Sequence, residues 1–208
     1  MTTTKQFFVC NGRLTYVSCC FFVFESVVKR TDMLRWHYKI MSLDTHITTH
    51  NADETQRFAS NLVGEILKRG HITTGAVVLA LEGDLGGGKT TFAQGFARAL
   101  HIDEPVRSPT FLIMKTFPLG DVGVFTRLIH IDAYRIESDQ EMRTLGWDDF
   151  VKDSRTIIVV EWADKIQDLL PDNRIDIKFT FIDENTRSIS IKNPAKGKAR
   201  LGAARIRN

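Results

Sequence analysis

Eight consecutive residues constrain this 208-residue chain more than any other feature: Gly83-Asp84-Leu85-Gly86-Gly87-Gly88-Lys89-Thr90 fits G-x-x-x-x-G-K-[ST] at every fixed position. The flanks supply the context that such a motif demands. Val77 to Leu81 is a continuous apolar run, as in a strand buried on both faces. After the motif, Phe92, Phe96 and Leu100 recur at helical spacing. Strand, glycine loop and helix are therefore predicted in that order. Glycines let several backbone N–H groups converge on phosphate oxygens that side chains would obstruct. The helix beginning at Lys89-Thr90 adds its partial positive charge. Leu85, Gly86, Gly87, Gly88, Lys89, Thr90 and Thr91 form the predicted nucleotide-binding run, with Lys89 bridging the β- and γ-phosphates and the Thr90 hydroxyl ligating Mg²⁺. A flexible surface turn is the competing reading. Three consecutive glycines count against it, at roughly 0.5–1 kcal/mol of backbone entropy each.

The rest of the body alternates strands and helices. Asn51 and Glu54 make a capping-box signal for a helix that carries Phe58, Leu62 and Ile66 on one face and ends at Gly70. Phe111 to Phe117 and Val124 to Ile131 read as strands joined by a turn-rich loop over 118–123. Ser138 and Glu141 cap a helix over 139–145, and Thr156 to Val160 is a second all-apolar strand. A helix is predicted over 162–170, stopped by Pro171, and a hairpin turns at 183–186 between strands 175–182 and 187–192. The fold class is α/β: a sandwich with a mostly parallel centre, strands 77–81 and 156–160 in the middle, and antiparallel hairpin additions.

Carboxylates are needed for the metal and for the attacking water. Asp132 and Glu161 each end an apolar run, where a strand's C-terminal edge faces the ligand crevice of such sheets. Either could serve either role, and spacing alone does not assign them. Ser108 and Thr110, on a Pro-stiffened loop, suit a switch that senses the γ-phosphate, against an ordinary turn. Trp162 reads as a packed core residue before it reads as a stacking platform, and His130 as a structural histidine before a base. Arg135 could meet phosphate or form a surface salt bridge.

Charge is unevenly placed. Residues 1–40 carry six Lys and Arg against two acids, 41–195 carry 17 against 23, and 196–208 five against none. The net +3 therefore belongs to the two ends, which argues against reading the body as a nucleic-acid binder. All three cysteines, Cys10, Cys19 and Cys20, lie in the first 40 residues, so the body has no disulfide framework, as in a reducing cytosol. No apolar run reaches the roughly 18 residues of a membrane span. Three regions are expected: a non-native or disordered extension over 1–40 with Met41 opening the protein, the nucleotide-binding domain over 41–195, and a basic flexible tail over 196–208.

Together the pieces resemble the TsaE family, small P-loop ATPases of bacterial tRNA threonylcarbamoyladenosine biosynthesis. The resembling strings are Gly83 to Phe92, Ser108-Pro-Thr-Phe111, His130-Ile-Asp-Ala-Tyr-Arg135, Leu145-Gly146 before Asp149-Phe150, and Glu161-Trp162, within about Asp53 to Lys192. The resemblance implies a P-loop NTPase sandwich that binds ATP and Mg²⁺, hydrolyses ATP weakly alone, and works in the cytoplasm. The partner it implies is the TsaB–TsaD complex, which modifies the adenosine beside the anticodon of ANN-decoding tRNAs, so that tRNA is met only through that complex. It further implies that Lys89 and Thr90 hold phosphates and Mg²⁺, that Asp132 and Glu161 are the essential carboxylates with Glu161 a metal ligand, that Trp162 lies near the site, and that Thr55 borders the nucleotide. The sequence departs from the family at Gly87, where Ala is frequent, and in its extension and tail.

Two other enzyme classes compete. A nucleoside-kinase type of phosphotransferase needs an Arg-rich lid, whereas Arg107, Arg127, Arg135 and Arg143 are scattered. A GTPase needs an Asn-Lys-x-Asp guanine reader, and the sequence has none. No second-site arginine stands out, which leads to an expectation of slow turnover accelerated by the partner complex.

Overall fold

The computed structural model describes residues 44–69, 75–109 and 112–192. The extension expected over 1–40, the tail expected over 196–208, the helix-closing Gly70 and the switch candidate Thr110 lie outside the described residues. In chain order the elements are β1 (Asp44–Thr49), α1 (Ala52–Arg69), β2 (Val77–Glu82), α2 (Lys89–Ala99), β3 (Met114–Val122), β4 (Phe125–Asp132), a 3₁₀ turn (Ala133–Arg135), α3 (Asp139–Thr144), α4 (Trp147–Phe150), β5 (Thr156–Glu161), a 3₁₀ segment (Ala163–Leu169), β6 (Ile175–Phe181) and β7 (Arg187–Lys192).

The seven strands form one sheet in the order β1-β7-β6-β2-β5-β4-β3. β6, β2, β5 and β4 run parallel to one another, while β1–β7, β7–β6 and β3–β4 pair antiparallel. The two apolar strands are adjacent at the centre, as predicted. Their side chains alternate between two cores. Leu79, Leu81, Ile157 and Val159 pack with Phe58, Phe92 and Phe96 of α1 and α2. Val78, Ala80, Ile158 and Val160 pack with Met142, Trp147, Ala163 and Ile166 on the opposite face. Both faces of the strands are covered, which is why their sequence is a continuous apolar run.

Helix α1 starts where its capping residues dictate. Asn51 Oδ1 accepts from the Glu54 N–H at 2.8 Å, and the Glu54 carboxylate accepts from the His50 N–H, one residue earlier than a standard box. Helix α2 is fixed at its first turn by Phe92, whose ring lies 6.0 Å from Phe58 and 5.7 Å from Phe179. Full burial of that ring contributes on the order of 1.5–3 kcal/mol to seating α2 on the sheet.

Three expectations need correction. The strand expected from Phe111 begins at Met114, and the loop expected over 118–123 is strand as far as Val122, with a register shift between Pro118 and Val122. Pro118 is tolerated because β3 is an edge strand, where a missing N–H leaves no ladder bond unmade. The segment after Glu161 is 3₁₀ and kinked at Ile166 rather than α-helical. Strand β1 went unpredicted: its one apolar residue is Ile47, and pairing with β7 rather than local pattern makes it a strand.

Candidate functional site

Loop 83–88 leaves the C-terminal end of β2 and turns into α2. Three of its glycines, Gly83, Gly86 and Gly88, take positive φ. Gly83 sits at φ 130°, where a Cβ would lie 2.2 Å from the Phe179 carbonyl oxygen, and Gly88 caps α2 at φ 99°. The Gly87 N–H donates to the Asp84 carbonyl at 3.0 Å, closing the turn. The first amides of α2 have no intrahelical acceptor and point to where an anion would sit.

Parallel register brings the two predicted acids together. Asp132 and Glu161 are paired positions at the C-terminal ends of β4 and β5, and Leu81, just before the loop, is paired with Glu161 from the other side. Both carboxylates are buried, with 2% of each residue exposed. The Thr90 hydroxyl donates to Glu161 Oε2 at 2.8 Å, and His130 Nε2 lies 2.8 Å from Glu161 Oε1. Asp132 accepts the Tyr134 N–H at 3.0 Å and the Ser108 hydroxyl. Ser108 thus ties the segment after α2 to the acid on β4.

Lys89 is 5% exposed, and its ammonium donates to the carbonyls of Gly83 at 2.5 Å and Asp84 at 2.8 Å. It lies 3.8 Å from the centroid of the Trp162 ring. Burial pushes its pKa below the ordinary lysine value, while Glu161, Asp132, Asp164 and Asp84 oppose that shift by favouring the cation.

A cleft of about 570 Å³ opens over these groups. Its walls include Leu85, Gly86, Gly87, Gly88, Lys89, Thr90, Thr91, Ser108, Asp132, Glu161, Trp162 and Thr55. Every described site residue predicted from the sequence therefore faces one cavity. Thr55 is buried at the start of α1, with its hydroxyl 2.9 Å from that of Thr49. Trp162 packs against the second core and also lines the cleft. It is half-buried at φ 57°, and its ring covers Lys89 and lies 5.0 Å from Tyr134. Among the described residues Trp147 is the fully buried tryptophan, and its Nε1 donates to the Leu169 carbonyl. Arg135 is exposed and does not line the cleft.

The β6–β7 turn adds a wall absent from the prediction, with Glu184, Asn185 and Arg187. Arg187 Nε donates to the Gly86 carbonyl at 3.1 Å, and the guanidinium lies 4.8 Å from the Phe181 ring. An arginine other than those singled out in the sequence therefore reaches the glycine loop. Its placement comes from β6 lying beside β2, a juxtaposition with no local sequence signal.

Oxygen donors of this kind suit a hard divalent cation. Thr90 and Glu161 offer a hydroxyl and a carboxylate side by side. Among the described residues no group of three or more His, Cys, Asp or Glu side chains is placed to hold a metal. In phosphoryl-transfer sites Mg²⁺ takes one or two carboxylates and shares the rest of its shell with substrate phosphates and water. Among the described residues no helix is long and apolar enough to cross a membrane.

Comparison with known proteins gives a consistent result. Residues 49–189 match the family model described as "Threonylcarbamoyl adenosine biosynthesis protein TsaE". A tRNA threonylcarbamoyladenosine biosynthesis protein TsaE from Bacillus subtilis is 38% identical over 142 residues, covering 68% of this chain and 81% of its own. One from Aquifex aeolicus is 32% identical over 155 residues, covering 73% and 98%. The crystal structure of YdiB from Bacillus subtilis superposes with a TM-score of 0.57 at 31% identity, covering 76% of this chain and 90% of that one.

Proposed function

This chain belongs to the TsaE family of tRNA threonylcarbamoyladenosine biosynthesis, and on that premise we propose that it is the ATP-binding and ATP-hydrolysing subunit that acts with a TsaB–TsaD complex. The complex transfers threonylcarbamoyl to the adenosine beside the anticodon of ANN-decoding tRNAs, and this chain meets tRNA through it, in the cytoplasm. One observation carries the reading: Lys89, Thr90, Asp132 and Glu161 converge in a single cleft over the glycine loop.

In this reading the loop amides and the α2 N-terminus bind the phosphates. Lys89 exchanges the Gly83 and Asp84 carbonyls for phosphate oxygens, with Trp162 keeping its ammonium over the cleft. Thr90 and Glu161, already joined, would hold Mg²⁺, which would supply positive charge against the negative charge developing on the phosphates. Asp132 orients the attacking water, and its tie to Ser108 passes the nucleotide state to the segment after α2.

Turnover is slow in the isolated chain. Arg187 spends Nε on the Gly86 carbonyl and Nη1 on the carbonyls of Asp183, Glu184 and Thr186, which anchors the guanidinium to its own hairpin and to the glycine loop. The test is ATPase rate with and without TsaB–TsaD, together with tRNA modification in a reconstituted system. Stimulation by the complex and loss of both activities in Lys89→Ala are expected. Equal rates would refute the partner role, and phosphate transfer to nucleosides would favour the kinase class.

A further inference from the structure

The pair formed by His130 and Glu161 has no assigned role in this site. His130 is on β4, two residues before Asp132, and is 1% exposed. Its Nε2 lies 2.8 Å from Glu161 Oε1 in a fully buried contact, while Nδ1 is buried without a hydrogen-bond partner among the described residues. Glu161 Oε1 needs a donor and Nε2 is the ring atom that faces it, so Nε2 carries the hydrogen. Nδ1 is then a bare acceptor. The opposite tautomer would bury an N–H with nothing to receive it and set two lone pairs against each other, at a larger cost.

A carboxylate on the last residue of a strand can rotate about its final torsion. Here one oxygen is fixed by His130 and the other faces the Thr90 hydroxyl at 2.8 Å. We propose that His130 is a positioning residue: it holds Glu161 by Oε1, leaving Oε2 alone to face Thr90 and the divalent cation. The inference rests on the proposed Mg²⁺–nucleotide function of this cleft. Without the imidazole, Oε1 would be buried with no donor, and the carboxylate would turn away from Thr90 to find one.

Two measurements test it. ¹⁵N NMR of the imidazole in the wild-type chain, free of metal and nucleotide, reads the tautomer directly. A proton on Nε2 is expected, and an Nε2 without a proton overturns the proposal. In the second, ADP binding is followed by tryptophan fluorescence during Mg²⁺ titration of His130→Phe, which keeps a ring and loses the donor, and of His130→Gln, which keeps an N–H. Apparent Mg²⁺ affinity falls roughly ten- to a hundredfold in the Phe variant, as is usual when a ligand's supporting partner is removed. It stays within a few-fold of wild type in the Gln variant, and ADP binding in EDTA is unchanged in both. Equal Mg²⁺ dependence in wild type and His130→Phe, or an equal fall in both variants, overturns the proposal. If neither variant folds, the wild-type spectrum decides. Failure of the wild type to bind nucleotide would instead remove the functional reading beneath it.

Discussion

Thr90→Val removes one oxygen from the site and nearly nothing else. The side chains are close in shape, and their helix propensities are nearly equal, so α2 itself is undisturbed. What is lost is the hydroxyl bond to Glu161 Oε2 at 2.8 Å. Hydrogen bonds to charged groups contribute about 1.5–3 kcal/mol, and half-exposure of Thr90 places this one near 1.5 kcal/mol. For a chain of this size that lowers Tm by about 3–6 °C. Differential scanning calorimetry gives the stability change, and nucleotide titration with and without Mg²⁺ gives the functional one. Affinity in EDTA should match wild type, because the loop amides and Lys89 are untouched, while the gain from adding Mg²⁺ should vanish. A variant that melts with wild type and keeps its Mg²⁺ response would refute the coupling of Thr90 to Glu161.

Three further outcomes are expected. Gly95→Ala should destabilise by about 1–3 kcal/mol in urea unfolding, despite a propensity gain of about 1 kcal/mol, because the new Cβ would lie 2.4 Å from Gln56 Cα; a net gain would refute the tight α1–α2 crossing. Arg187→Ala should weaken binding of a fluorescent ATP analogue several-fold by freeing the Gly86 carbonyl, with Lys a poor substitute; unchanged affinity would confine the guanidinium's role to its own hairpin. Lys89 should make binding and stability move oppositely at alkaline pH. Its folded-state pKa is depressed, so the fold holds fewer protons than the unfolded chain from that value up to about 10.5, and stability rises with pH there while ATP affinity falls. Parallel pH series of urea midpoints and ATP titrations would show it, and a Lys89→Met variant lacking the stability rise identifies its source.

The parts of this structure that were legible in the sequence are those written locally. The glycine run, the apolar strands at 77–81 and 156–160 and the Asn51–Glu54 cap each carry their own pattern over a few residues. Asp132 and Glu161 were legible as strand-end acids, and the parallel register of β4 and β5 then set them side by side. What stayed hidden depends on long-range packing. Arg187 meets Gly86 across 101 residues of chain, and His130 meets Glu161 across 31. Strand β1 has only Ile47 to announce it. The seven residues after Trp162 are too few to separate a 3.0-residue from a 3.6-residue period. The direction of the Trp162 ring was not legible either, because it follows from a positive φ at the end of β5.

The most direct test is a crystal structure of the chain with Mg²⁺ and a non-hydrolysable ATP analogue. The expected result is a triphosphate lying on the amides of residues 86–90, with Mg²⁺ between the Thr90 hydroxyl and the Glu161 carboxylate. A nucleotide bound elsewhere, or a cation that ignores both residues, would contradict the reading of this cleft.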